Sequence, residues 1–168
     1  MDLSLEEKVD RLSSVHEIRQ LAYRHAYAID SWDGELFKSL WAETDEPLEA
    51  PYADIHSARN PRIPADGRGP SAILVGNHLI EFDSNDEAHG TVYALVQIEL
   101  GGKFIDQTVI YQDRYVRVDN RWLFLNRKHL LLYGTQREPN PFDAPAANWP
   151  ASQVGRGVAS EAIRKGAR

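Results

Sequence analysis

The sequence predicts one α+β domain, with N-terminal helices laid against a long antiparallel meander. Three observations carry this. Apolar residues at three- and four-residue spacing fill the first 30 positions. Long runs of alternating character fill residues 76–132, separated by turn-forming residues. The whole chain, at 168 residues, is long enough for one substantial core and too short for two.

Ser4 followed by Glu6 and Glu7 reads as a helix start, and Val9, Leu12, Val15, Ile18, Leu21 and Ala22 continue an amphipathic helix to about Ile29. Asp33 is a good N-cap for a second short helix with Leu36, Phe37, Leu40 and Trp41 on its buried face. From Pro47 to Pro70 five prolines disfavour long regular elements, so a short strand near Leu48–Ala53 and then loop are expected. Strands follow at Gly76–Phe82, Ala88–Leu100, Phe104–Val118 and Arg121–Leu132. Asp83 to Asp86, Gly101-Gly102 and Asp119-Asn120 supply the hairpin turns. In the second of these strands Ala88, Gly90, Val92, Ala94, Val96, Ile98 and Leu100 make a small apolar face, and His89, Thr91, Tyr93, Leu95, Gln97 and Glu99 a mixed one. Residues 136–168 read as an extended arm, Pro139–Pro150, and a short helix, Ala159–Lys165, appended to a domain of residues 1–135.

Bulk properties narrow the function. A net charge of -6 argues against a general nucleic-acid binder, which would need a basic face to displace counterions from phosphates, so nucleic acid is not an expected partner. Without cysteine there is no disulfide, thiolate ligand or Cys nucleophile. A charged N-terminus and the lack of an apolar window of about 18 residues predict a cytoplasmic protein that does not engage a membrane. His16, His89 and His129 fall on different elements with no HxH or HExxH spacing, so no metal is expected. Gly67-Arg68-Gly69 and Gly155-Arg156-Gly157 lack a βαβ context, so no dinucleotide or other cofactor is expected.

Two segments resemble the SnoaL-like branch of the NTF2-like superfamily. One is Ile18 to Asp33, a helix with an acidic residue at its end; the other is the hairpin from Asp113-Arg114-Tyr115 through Trp122. The similarity spans about Val9 to Tyr133. It implies a cone-shaped fold whose curved sheet and helices enclose one small-molecule pocket, and a homo-oligomer, dimer or trimer. The branch it resembles includes scytalone dehydratase, bile-acid 7α-dehydratase and hexachlorocyclohexane dehydrochlorinase. It therefore implies a cofactor-independent lyase of dehydratase type, or an isomerase, acting on a small apolar cyclic hydroxy or keto compound. In such enzymes a helix-end Asp orients a His that takes the substrate proton.

Asp30 matches that Asp, but Ile73 stands where the His is expected. A non-catalytic binding or assembly domain on the same fold is the alternative. His25 is the second catalytic candidate, matching a polar position of the family; its bland reading is a partly exposed helix residue near Arg24 and Glu17. His78, five residues after Ile73, falls on the opposite face of a regular strand unless a bulge intervenes. His56 lies in the proline-rich loop. Tyr23 and Tyr27 share a helix face with Asp30 at i, i+4 and i+7 and could donate to a substrate oxygen. Trp41, Tyr93, Gln97 and Tyr111 are candidate lining of the concave sheet; each could equally be packing.

Overall fold

The computed structural model describes residues 3–45 and 68–141. The expected strand at Leu48–Ala53, His56, the arm from residue 142 onward and the terminal helix lie outside the described residues.

Helix α1, Leu5–Asp30, begins with a capping box: Glu7 N–H donates to Ser4 Oγ at 3.2 Å and Ser4 N–H to Glu7 Oε2 at 2.7 Å. No Gly or Pro interrupts it. Trp32 takes a left-handed conformation (φ 56°) that no helix can continue, which ends it. Ile18, Leu21, Ala22, His25, Ala26 and Ile29 form its buried stripe. Val9 and Leu12, expected on that stripe, are instead 58% and 70% exposed, because the sheet is met in these turns by Asp10, Arg11 and Ser14, which contact Arg117 and Phe82. Asp33 caps α2, Gly34–Ser39, by accepting from Leu36 N at 2.9 Å.

Four strands follow, β1 Arg68–Phe82, β2 Glu87–Leu100, β3 Lys103–Val118 and β4 Arg121–Arg137, paired antiparallel in sequence order. The two tight turns use residues at positive φ, Gly101 and Gly102 (59° and 74°) and Asp119 and Asn120 (49° and 61°), whose backbone twist suits the flanking strands. β1 starts earlier than the prolines suggest. It is an edge strand, where Pro70 can leave its missing N–H off the ladder, and the register slips between Arg68 and Ser71.

The small apolar set of β2, Ala88, Gly90, Val92, Ala94 and Val96, lies on the buried side of the sheet, where Val92, Ala94 and Val96 cluster with Ala22 of α1. At Gly90 an added Cβ would meet Leu79 O at 2.6 Å. One buried cluster joins Ile18, Leu21, Ile29, Phe37, Leu40 and Trp41 to Tyr115, Trp122 and Phe124; a second joins Ala22 to Val92, Ala94, Val96, Val109 and Tyr111. Each fully buried side chain of this size stabilises the fold by roughly 1.5–3 kcal/mol. The C-terminal end of α2 is pinned to β4: Phe124 N–H donates to Leu40 O and Ala42 N–H to Phe124 O, both at 2.9 Å.

β1 carries a bulge. Val75 pairs with Ala94 and His78 with Val92, so three steps on β1 oppose two on β2. The extra residue, in the Gly76-Asn77 stretch, reverses the alternation. Ile73 and Val75 before it, and His78 and Ile80 after it, are all half-buried on the helix-facing side, while Leu74 and Leu79 are exposed.

Candidate functional site

Asp30, the last residue of α1, reaches the edge strand. Its Oδ1 accepts from Ser71 Oγ at 2.7 Å and its Oδ2 from the Ile73 backbone N–H at 2.9 Å. Burial raises its pKa above the usual aspartate value, with the Ile73 N–H and the Ser71 hydroxyl pulling the other way. Among the described residues no cation and no histidine bonds it. The side chain is therefore a half-buried carboxylate held by two neutral donors at the helix-facing side of the sheet.

His25 is not the partly exposed residue expected above. It is 1% exposed, ringed by Phe37, Trp41, Tyr111 and Phe124 at centroid distances of 5.2, 6.3, 6.0 and 5.8 Å. Five residues of helix carry it about 140° around the axis from Asp30 and into the aromatic core.

A chain of polar groups crosses the same side of the sheet. Asp113 on β3 pairs with Arg127 on β4. The guanidinium donates from Nε to Asp113 Oδ1 at 2.7 Å and from Nη2 to Oδ2 at 2.6 Å. Both residues are almost fully buried, and Arg127 also stacks on the Tyr111 and Phe124 rings at 4.2 and 4.3 Å. Tyr115 donates its hydroxyl to Asp113 Oδ2 at 2.6 Å, and His78 Nε2 lies 3.0 Å from the same hydroxyl oxygen. The Tyr115 proton is committed to Asp113, so its oxygen can only accept, and His78 must be the Nε2–H tautomer. That leaves Nδ1 with the lone pair; it is buried and has no hydrogen-bond partner among the described residues. Burial lowers the His78 pKa to about 4, with Asp113 opposing and Arg127 and Arg19 adding to the shift. Burial, and next the Asp113 charge, push the Tyr115 hydroxyl well up.

Among the other candidates, Trp41 and Tyr111 lie in the core beside His25, 5% and 4% exposed. Four go elsewhere. Tyr23 and Tyr27 project from the solvent side of α1 at 44% and 46% exposure, because the stripe through Ala22, His25 and Ala26 is the one that packs. Tyr93 and Gln97 lie on the sheet face away from α1, since the small residues of β2 take the helix side; Gln97 there donates to Asp106 at 2.8 Å. His89, also on that face, contacts Asp83 and Glu81. Sequence reasoning passed over Ser71, Asp113, Tyr115 and Arg127. The available signal was Asp113, a charge in phase with Val109, Tyr111 and Tyr115 along β3.

No group of three or more His, Asp or Glu suited to a metal ion occurs among the described residues, and no helix of theirs is long and apolar enough to cross a membrane.

The sequence pattern of the SnoaL-like domain matches residues 10–128. The chain belongs to the SnoaL-like family. No curated protein matches it significantly. Among solved structures, it is similar to a hexachlorocyclohexane dehydrochlorinase, LinA-type3, from Novosphingobium barchaimii LL02, at 22% identity over 82% of this chain and 99% of that one, TM-score 0.65. It is similar to another, LinA Type2, at 21% identity over 83% and 99%, TM-score 0.66. A scytalone dehydratase-like protein from Novosphingobium aromaticivorans DSM 12444 aligns at 20% identity over 88% and 99%, TM-score 0.66. At these identities the likeness establishes a SnoaL-like, NTF2-like fold. The α+β order of helices and four antiparallel strands is the one expected from the sequence.

Proposed function

We propose that this SnoaL-like domain is a cofactor-independent lyase or isomerase acting on a small apolar cyclic compound that bears a hydroxyl or carbonyl group. The observation that carries the reading is Asp30. A carboxylate brought to the helix-facing side of the sheet, oriented by Ser71 and Ile73 and made more basic by burial, suits abstraction of a proton from carbon next to a carbonyl. In an elimination the released electron pair forms the double bond as the C–O bond breaks, and the hydroxyl departs as water by taking up the proton that Asp30 removed. In an isomerisation the proton held on Asp30 returns to a neighbouring carbon. His78, on the same side through the bulge, adds a neutral imidazole whose Nδ1 would accept from a substrate hydroxyl. Ile73, Trp41 and Tyr111 would supply apolar surroundings. Homo-oligomerisation belongs to the same reading.

The second reading is a small-molecule-binding domain without chemistry. It is favoured by one observation: both Asp30 bonds go to Ser71 and Ile73, and neither to a histidine.

The test is turnover of a panel of hydroxylated and ketonic ring compounds by wild type and by Asp30→Asn, with thermal melts confirming that both are folded. Loss of at least about 100-fold in turnover is expected in the variant. Equal turnover by the two would sink the Asp30 mechanism. Binding of a panel member with no turnover by either would establish the second reading.

A further inference from the structure

A cleft of about 280 Å³, whose lining includes none of Asp30, Ser71 and Ile73, lies where α1, the end of α2 and the start of β4 meet. Its walls are unlike the chain as a whole. The protein carries a net charge of -6, yet this cleft gathers Arg24 and Arg121 with His16 and Gln20, against one carboxylate among the described residues, that of Glu17. Neither Arg24 nor Arg121 has an ion pair or hydrogen bond with any described residue. Glu17 is engaged elsewhere, accepting weakly from Ser13 Oγ at 3.4 Å and acting electrostatically on Arg117. The floor is apolar: Leu21, Leu40 and Trp122, all at or below 5% exposure, with Leu123 beside them. Trp122 adds a buried indole N–H without an acceptor among the described residues.

Two uncommitted guanidinium groups over an apolar floor form a recognisable combination. Arginine forks match planar carboxylates in geometry, and desolvation by the floor strengthens the contact. We propose that the α1/α2/β4 cleft is a binding site for a small organic carboxylate, its charge held by Arg24 and Arg121 and its compact apolar body laid on Leu21, Leu40 and Trp122. The site is separate from Asp30 and does not depend on the reading of that residue.

The probe is benzoate, titrated into the 15N-labelled full chain, with benzyl alcohol and inorganic phosphate as comparisons. Saturable shifts at Gln20 and at the Trp122 indole N–H are expected with benzoate. Benzyl alcohol, lacking the charge, and phosphate, lacking the ring, should bind more weakly. Arg24→Gln with Arg121→Gln, both at exposed positions, should weaken benzoate at least about tenfold while leaving the melt unchanged. Asp30→Asn should bind benzoate as wild type does. Non-saturating shifts, equal affinity for benzyl alcohol, equal affinity for phosphate, or unchanged benzoate affinity in the double variant would each overturn the proposal.

Discussion

Asp30 and Asp113 are both carboxylates drawn into the helix-facing side of one sheet, and their surroundings differ in kind. Asp113 sits mid-sheet, 3% exposed, with a bidentate arginine and a tyrosine hydroxyl filling its lone pairs. Asp30 sits at a helix end over the edge strand, half-buried, with a serine hydroxyl and a backbone N–H and no cation among the described residues. The first is a closed electrostatic unit whose charge is cancelled where it lies. The second has only neutral donors among the described residues, and burial makes it a better proton acceptor. A buried acid neutralised by an arginine is a structural element; a buried acid without one is available for chemistry.

The sharpest way to break this contrast is to remove the cation from the closed unit. Arg127→Met leaves Asp113 buried and unpaired, and should cost about 3–5 kcal/mol in urea denaturation. The double variant Asp113→Leu with Arg127→Met, which removes both charges, should recover most of that loss. A single variant within about 1 kcal/mol of wild type would show that Asp113 does not depend on its partner.

Tyr115→Phe should have a smaller effect. It removes one donor to Asp113, which keeps both arginine bonds, and the acceptor for His78 Nε2–H. A loss of about 1–3 kcal/mol is expected. Nitrogen shifts of the His78 ring supply the more specific readout: wild type should be the Nε2–H tautomer, and the variant should lose that preference. An unchanged tautomer would mean that something other than Tyr115 orients the ring.

Much of this arrangement is legible in the sequence, and the parts that are not have identifiable causes. The capping box at Ser4, the Asp33 cap and the three turns depend on local chemistry, so their positions can be read from a few adjacent residues. Asp30 is singled out in the sequence through family resemblance alone, and the contact its carboxylate makes with Ile73 is to the backbone N–H, which no side-chain pattern announces. His78 illustrates what local reading lacks. Strict alternation sends it to the far face, and one extra residue near Gly76-Asn77 brings it back; a bulge depends on the pairing with β2, which the β1 residues alone do not encode. Arg127 is hidden in the same way. Tyr115 pairs with Phe124 but Arg114 with Asn126, so a slip in β4 puts Arg127 out of phase with Trp122 and Phe124 in sequence and in phase with them in space. Tyr93 and Gln97 lie on the other face because alternation along β2 does not say which face is turned inward, and the buried one is that of Ala88, Gly90, Val92, Ala94 and Val96.

The smallest expected effect concerns Asp30 itself and bears on the difference between the two acids. Its folded-state pKa is raised, so over the range between the unfolded and folded values the native protein holds more proton than the unfolded chain. Stability therefore falls as pH rises through that window above the ordinary aspartate value of 3.8, and is recovered on acidification. Asp30→Asn removes this dependence. The gap between wild type and variant should shift in favour of wild type as pH is lowered, by under about 1 kcal/mol given the partial exposure of the carboxylate. A gap that moves the opposite way, favouring wild type as pH rises, would mean that the Ser71 and Ile73 hydrogen bonds outweigh burial. Asp30 would then resemble Asp113, a carboxylate stabilised in its charged form, and its case as a proton acceptor would weaken.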